Sequence, residues 1–311
     1  MPEIYIDGQA GTTGLEIVSR LSARKDIHLI LIDEDKRKDE AERRKCMNAA
    51  DLVFLCLPDA AAIEAVTLIE NPHTKVIDAS TAHRCDPQWA YGFSELGEAF
   101  LNAIRTSMRV ANPGCHATGF ISIVYPLIQL GILSPADTIT AYSLTGYSGG
   151  GKGMIAEYEA EGRAAALSSP REYGLGQTHK HLPEMAGIPG LEHYPVFCPI
   201  VADFYSGMLV TVPIFGAQLN AGYTLADVRE CYKAKFTGPV VKYVDAMDEA
   251  GFIASNTLTG TDSMEVTACG NDERMILLSR FDNLGKGASG AAVQCINLML
   301  GADETAGLVL A

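Results

Sequence analysis

Asn112-Pro113-Gly114-Cys115 puts a cysteine directly after a Pro-Gly turn and at the head of an apolar, helix-like run over residues 117–130. A helix start presents unpaired N–H groups and partial positive charge. A thiol held there ionises readily, and the thiolate is the nucleophilic form. Taken alone, Cys115 reads more readily as a small buried residue packing a helix start. Two other features turn the reading toward chemistry: a His-x-His pair downstream and a Gly-rich turn upstream.

His179 and His181 are separated by one residue, and Glu184 follows. In an extended segment, residues i and i+2 face the same way. One imidazole beside Cys115 would move a proton, with Glu184 orienting it. The competing readings are a metal pair and two exposed loop histidines. A metal would need further ligands that the sequence does not supply, so none is expected.

Gly8-Gln9-Ala10-Gly11-Thr12-Thr13-Gly14 follows the first strand-like run and opens a helix-like one. Such a turn lets backbone N–H groups approach a pyrophosphate. Gly8, Gly11, Thr12, Thr13 and Gly14 are therefore candidate cofactor contacts, with Pro58 and Ser80 just beyond later strands. Asp33 stands where an acid would bind an NAD ribose, while Lys36 and Arg37 could instead meet a 2′-phosphate; the residues alone leave this choice open. A second Gly-rich run contains Ser148, Gly149 and Lys152, and reads as a phosphate cradle or a flexible loop. Arg84 follows a parallel strand, where a two-pronged anion contact or a surface ion pair are both open. With Asn112, these residues form the candidate substrate set.

The elements that position these groups change character along the chain. Strand-like runs at 4–7, 27–32, 52–57, 75–79 and 108–111 alternate with helix-like runs at 14–23, 36–45 and 60–69. That alternation predicts a parallel, doubly wound sheet. Beyond Cys115, strands are expected at 138–144, 208–213, 264–268 and 275–281. The last two flank Gly270-Asn271-Asp272, which predicts a hairpin and hence a mixed sheet. The mixed-charge stretch 33–45 reads as a solvated helix face or loop. Residues 173–199 read as a long irregular loop. Residues 286–301 read as a helix returning to the first domain. The expected boundaries are 1–114, 115–285 and 286–311.

The 311 residues carry 24 Lys and Arg against 38 Asp and Glu, a formal net charge of −14. That balance disfavours nucleic acid and anionic lipid as partners. No apolar run is long enough to span a membrane, and the first residues lack signal-peptide character. The eight cysteines contain no Cys-x-x-Cys pair, which points away from zinc and disulfides and toward the cytoplasm.

The order of these motifs resembles the N-acetyl-gamma-glutamyl-phosphate reductase family, in its shorter form. The matching stretches are 6–14, 76–84, 91–96, 111–115, 145–152, 179–184 and 283–288. The resemblance implies a Rossmann-like NADP-binding domain and an α+β catalytic and dimerisation domain with a mixed sheet, as in the related aspartate-semialdehyde dehydrogenases. It implies Cys115 as nucleophile, one of His179 and His181 as acid/base, Gly8, Gly11 and Gly14 in the cofactor loop, and NADP as cofactor. Reduction of N-acetyl-glutamyl phosphate in arginine biosynthesis follows, with a homo-oligomer expected. The alternatives are the same chemistry on aspartyl phosphate or a carrier-linked aminoadipyl phosphate, and a non-catalytic NADP-sensing regulator. Two local departures stand out: His116-Ala117-Thr118 after the cysteine, where many members have an aromatic and a proline, and Lys152 in place of a frequent Arg.

Overall fold

The computed structural model describes residues 1–311 apart from Ala10 and the side chains of Thr12 and Thr13, so the expectation that those two side chains touch the cofactor lies outside the described residues. The chain forms two compact units. One comprises Met1–Ser94, Glu98–Pro113 and Ala288–Leu308; the other comprises Glu95–Gly97, Gly114–Gly287 and Val309–Ala311.

The first unit is built on strands β1 (Glu3–Asp7), β2 (His28–Ile30), β3 (Leu52–Leu55), β4 (Lys75–Asp78), β5 (Ala90–Tyr91) and β6 (Arg109–Ala111), with helices α1 (Thr12–Ser22), α2 (Glu40–Ala49), α3 (Asp59–Thr67) and α4 (Glu98–Thr106). The strand order is β2-β1-β3-β4-β6-β5, and every pairing is parallel. Both faces are covered, which is why β3, Leu-Val-Phe-Leu, is apolar at every position and fully buried. Ile4, Phe54 and Ile77 pack with Ile17, Leu21 and Ile296 on one face. Tyr5, Val53 and Leu55 pack with Met47, Ala62 and Ala65 on the other. Strand order reverses at β1, whose neighbours are β2 and β3, and ligands of such sheets bind beyond the carboxyl ends at that reversal.

Gly8 occupies that place. Its φ is +87°, and a Cβ there would lie 2.3 Å from the Cys56 carbonyl oxygen. Only glycine lets the turn pass so close to β3. The helix expected over 36–45 begins only at Glu40 and runs on to Ala49. Asp39 caps α2, accepting from the Glu42 N–H at 3.0 Å, and leaves the preceding residues in turns.

The second unit contains α5 (Cys115–Gln129), β7 (Thr140–Gly146), α6 (Gly151–Glu159), β8 (Arg171–Glu172), α7 (Leu182–Gly187), β9 (Val196–Ala202), β10 (Met208–Phe215), α8 (Leu225–Lys235), β11 (Val241–Tyr243), β12 (Met264–Gly270) and β13 (Arg274–Phe281). Its seven strands run β11-β12-β13-β10-β7-β9-β8. β7–β9 and β11–β12 are parallel and the remaining pairs antiparallel, so the expected mixed sheet is present. Asn271 closes the expected hairpin: its side-chain oxygen accepts from the Glu273 and Arg274 N–H groups, each at 3.0 Å.

Helix α5 lies hard against this sheet. A Cβ on Gly119 would sit 2.4 Å from Val210 Cγ2 and 2.8 Å from Phe281 Cε1. The Ser279 hydroxyl donates to the Gly119 carbonyl at 3.0 Å. A larger side chain at position 119 would lift the helix and displace Cys115 at its first turn.

Two expectations need correction. The Gly-rich run near residue 150 is not a loose loop: it ends β7, forms a single 3₁₀ turn over Tyr147–Gly150, and starts α6. The stretch 173–199 is not wholly irregular, since it holds α7 and the start of β9. A final helix, α9 (Gly290–Leu300), is preceded by a π-helical turn at Gly285–Ser289 and packs with α4 and β4 in the first unit.

Candidate active site

Cys115 is the first residue of α5, partly exposed, with Gly114 as the N-cap. Glu184 reaches this cap from α7. It is 1 % exposed, and its carboxylate accepts from the Gly114 N–H at 3.1 Å. The sequence assigned Glu184 to orienting a histidine; this contact has it tethering the turn that carries Cys115.

The His-x-His segment is anchored on β9. Gln177 makes a reciprocal pair with the Phe197 backbone, its amide donating at 2.8 Å and its oxygen accepting at 2.9 Å. The Tyr173 N–H donates to the Pro199 carbonyl at 3.0 Å. The loop is thereby held where His179 and His181 meet His116, the neighbour of Cys115. Ring centroids lie 4.8 Å apart for His179 and His181, 5.6 Å for His116 and His179, and 5.5 Å for His116 and His181. Phe197 packs edge-on against His116 and His179.

Sequence reasoning noted His116 only as a departure from the family pattern. The structure places it between two hydroxyls, Ser143 Oγ at 2.6 Å from Nδ1 and the Tyr173 oxygen at 2.7 Å from Nε2. Burial, with His179 and Lys180 nearby, pushes its pKa down to about 3. Burial and Lys180 push His179 down to about 4. Both are neutral at pH 7. The His181 N–H donates to His179 Nδ1 at 3.2 Å, so the proton of neutral His179 sits on Nε2. Tyr173 was not anticipated either; a lone tyrosine in an irregular run gives no pattern to read.

The candidate substrate residues divide. Arg84 Nε donates to the Asn112 carbonyl at 2.9 Å and Nη2 to the Ala79 carbonyl at 3.0 Å, tying the ends of β4 and β6 together. Ser148 is 1 % exposed and hydrogen-bonded to Asn283 Nδ2 at 3.0 Å. Asn112 donates to the Ala288 carbonyl at 3.2 Å, while its buried Oδ1 has no hydrogen-bond partner among the described residues. Gly149 lies in the 3₁₀ turn, and Lys152 is exposed in the first turn of α6. Among the described residues, no group of three or more His, Cys, Asp or Glu side chains is arranged to hold a metal.

In the first unit, a cavity of about 380 Å³ opens beside the Gly8 turn, lined in part by Gly8, Gln9, Gly11, Arg37, Lys38 and Arg43. Bare backbone there, next to the start of α1, suits the phosphates of a dinucleotide. Gly14 lets α1 pack against the turn: a Cβ would fall 2.5 Å from the Gly8 carbonyl oxygen. Lys36 pairs with Asp33 at 3.2 Å on the surface, and neither is among the residues lining this cavity, whereas Arg37, Lys38 and Arg43 are. Ser80 is turned to the buried Asp78, donating to its Oδ2 at 2.5 Å. Pro58 caps α3, one residue beyond the cavity-lining Leu57. Arg43 also holds the buried Asp7 at 2.8 Å, tying α2 to the end of β1.

Residues 3–104 match the semialdehyde dehydrogenase NAD-binding domain, and residues 115–283 match the semialdehyde dehydrogenase dimerisation domain. The chain is 43% identical to the N-acetyl-gamma-glutamyl-phosphate reductase of Burkholderia orbicola (strain MC0-3), over 98% of this chain and 99% of that protein. It is 45% identical to the reductase of the same name from Mesorhizobium japonicum, over 96% and 99%. Among solved structures, aspartate semialdehyde dehydrogenase from Francisella tularensis superposes with a TM-score of 0.73 at 13% identity, over 96% of this chain and 100% of that one. Aspartate semialdehyde dehydrogenase II from Vibrio cholerae gives 0.71 at 14% identity, over 97% and 99%.

Proposed function

The chain belongs to the N-acetyl-gamma-glutamyl-phosphate reductase family within the semialdehyde dehydrogenases, and on that footing we propose that it reduces N-acetyl-L-glutamyl 5-phosphate with NADPH to N-acetyl-L-glutamate 5-semialdehyde and inorganic phosphate, a step of arginine biosynthesis. The observation that carries this reading is the convergence in one unit of Cys115 at the head of α5, Glu184 on its cap, and the His179 and His181 rings against the adjacent His116. The Cys115 thiolate attacks the acyl carbon and expels phosphate, leaving a thioester. Backbone N–H groups at the start of α5 face the developing oxyanion. NADPH, when bound, supplies the hydride that reduces the thioester. His181 donates a proton to the thiohemiacetal oxygen and takes it back as the C–S bond breaks and the aldehyde leaves. His179 and Lys152 are assigned to the substrate's anionic groups.

The cavity beside Gly8 supports the cofactor assignment. Its glycine backbone fits a pyrophosphate, and Arg37 with Lys38 fits a 2′-phosphate. A nucleophilic thiol must stay reduced, which suits the cytoplasm.

Assay of the purified enzyme in the oxidative direction tests substrate and cofactor together. N-acetyl-glutamate semialdehyde, aspartate semialdehyde and an aminoadipate semialdehyde would each be offered with phosphate and either NADP or NAD. The expected result is the highest kcat/KM with N-acetyl-glutamate semialdehyde and NADP, with NAD weaker by about tenfold or more for want of charge-assisted phosphate contacts. A higher value with another aldehyde would move the substrate. A preference for NAD would hand the ribose to Asp33. Dinucleotide binding without turnover would make the protein a sensor.

The match to a dimerisation domain supports a homo-oligomer, and the mixed sheet offers the face. α5 and α8 cover one side. The other exposes Tyr142, Phe215 and Ile276, large apolar residues that natural surfaces seldom cluster without a partner. We assign this face to a second copy. Phe215→Glu should shift the species seen by sedimentation toward monomer at micromolar concentration; an unchanged distribution would place the contact elsewhere.

A further inference from the structure

Two of the stretches that carry the family resemblance, 91–96 and 283–288, have no role in the scheme above, and the structure joins them. Lys286 lies in the π-helical turn Gly285–Ser289 and is 1 % exposed. Its Nζ donates to both carboxylate oxygens of Glu95, each at 2.9 Å. Both residues belong to the second unit. A pair so deeply buried surrenders hydration that its own attraction offsets only with good geometry, so its worth lies less in stability than in selecting one arrangement. The neighbouring residue, Gly287, shows what that arrangement serves. Its N–H donates to the Asp282 carbonyl at 3.0 Å, which closes the π turn. A Cβ added at Gly287 would lie 3.0 Å from the Cys115 Cβ, 3.1 Å from the Asp282 carbonyl oxygen and 3.2 Å from Phe281 Cε2. The backbone of the turn therefore packs directly on the first residue of α5. Its other end is tied down as well. Asp282 is buried, and its carboxylate accepts from the Ser206 hydroxyl at 3.0 Å and from the N–H groups of Gly260 at 2.6 Å and Leu284 at 2.8 Å. The Phe281 ring that backs Gly287 also backs Gly119. The start of α5 is thus held from the sheet at Gly119 and from the π turn at Gly287.

Resting on the assignment of Cys115 as nucleophile, we infer that Lys286 and Gly287 are positioning residues for it: the Lys286–Glu95 pair fixes the π turn, and Gly287 sets the backbone of that turn against the Cys115 Cβ. A side chain of this kind has three staggered settings. Backbone packed on its Cβ from one side restricts them, and with them the line along which sulfur meets the acyl carbon. That line matters to rate, since a displacement of about 1 Å can cost about a hundredfold. Lys286 and Gly287 act through Cys115 and not on the substrate.

The test compares wild type with Gly287→Ala, Glu95→Gln, Lys286→Met and the double variant Lys286→Met/Glu95→Leu. Each is followed by thermal unfolding, by kcat and KM, and by the rate of Cys115 alkylation with iodoacetamide relative to Cys85 in the same molecule, read by peptide mass spectrometry. Gly287→Ala should fold, because the neighbours of the added methyl need give way only slightly. It should lower kcat by about tenfold with KM within about twofold, and slow Cys115 alkylation by about threefold. Lys286→Met removes the cation facing Glu95 and should lower both Tm and kcat. The double variant removes both charges and should regain most of the lost Tm, as apolar replacements of buried pairs often do, while kcat stays about tenfold low. That separation distinguishes positioning from support of the fold. A kcat that recovers together with Tm would overturn the inference, and so would wild-type kcat and alkylation in folded Gly287→Ala. Should the double variant fail to fold, Glu95→Gln decides the pair, since it keeps the volume and an acceptor. Its kcat should fall about threefold or more while KM holds, and an unchanged kcat would overturn the inference. Failure of the underlying assignment looks different: Cys115→Ser would then keep its activity, and alkylation would spare Cys115 in wild type.

Discussion

Replacing Cys115 by Ser should reduce turnover by about a thousandfold or more while leaving NADPH affinity within about twofold, because a serine hydroxyl is a far weaker nucleophile at neutral pH. The substitution removes one polarisable atom at the first position of α5 and leaves the packing of Gly119 against Val210 and Phe281 untouched. The dinucleotide cavity lies in the other unit, so binding and chemistry should separate cleanly. Alkylation gives a second view. Burial pushes the thiols of Cys46, Cys56, Cys198 and Cys269 up, and that of Cys231 to about 11, so these should react slowly. Cys85 is exposed and serves as the internal comparison. Cys115 should label first, at a rate exceeding that of Cys85. Labelling led by Cys85, together with activity surviving in Cys115→Ser, would remove the nucleophile from the scheme.

The parts of this molecule legible in the sequence are those written in local pattern. Gly8 is read from its place after an apolar run, and its positive φ and the close approach of Cys56 explain why no other residue would serve. Cys115 is read from the Pro-Gly turn ahead of an apolar helix, and the hairpin from Gly270-Asn271-Asp272. What stayed hidden depends on which distant groups the fold brings together. Arg84 was read as an anion contact or an ion pair, and the backbone carbonyls of Ala79 and Asn112 take two of its nitrogens, which no local pattern announces. Ser148 looked like part of a cradle, but Asn283, 135 residues away in sequence, hydrogen-bonds it. Lys36 and Lys38 are chemically alike, and the turns ahead of the Asp39 cap decided which one faces the cavity. His116 and Tyr173 are 57 residues apart, and no periodicity links them. Type and spacing nominate residues. Competition among all available partners decides which are left for chemistry.

The two histidines of the His-x-His pair should separate by kinetic role, with His181 carrying the proton. His179 is held neutral by burial and by Lys180, with a pKa of about 4. A lowered histidine pKa means that the charged form appears only as pH falls through about 4. Near neutral pH His179 is therefore a poor acid, and its Nδ1 is already occupied as acceptor of the His181 N–H. His181 sits at the N-cap of α7, buried, at the start of the helix that carries Glu184 to the Cys115 turn. His181→Asn should cut kcat by roughly a hundredfold or more, the usual effect of losing a positioned general acid–base group. His179→Asn should mainly raise KM, since a neutral ring that orients substrate contributes to binding more than to proton transfer. The pH profile of kcat/KM sharpens the distinction. Any limb that wild type shows well above pH 4 cannot come from His179 and should persist in His179→Asn. A limb that disappears with His179 instead would exchange the two roles, and near-normal kcat in both variants would mean that neither ring moves the proton.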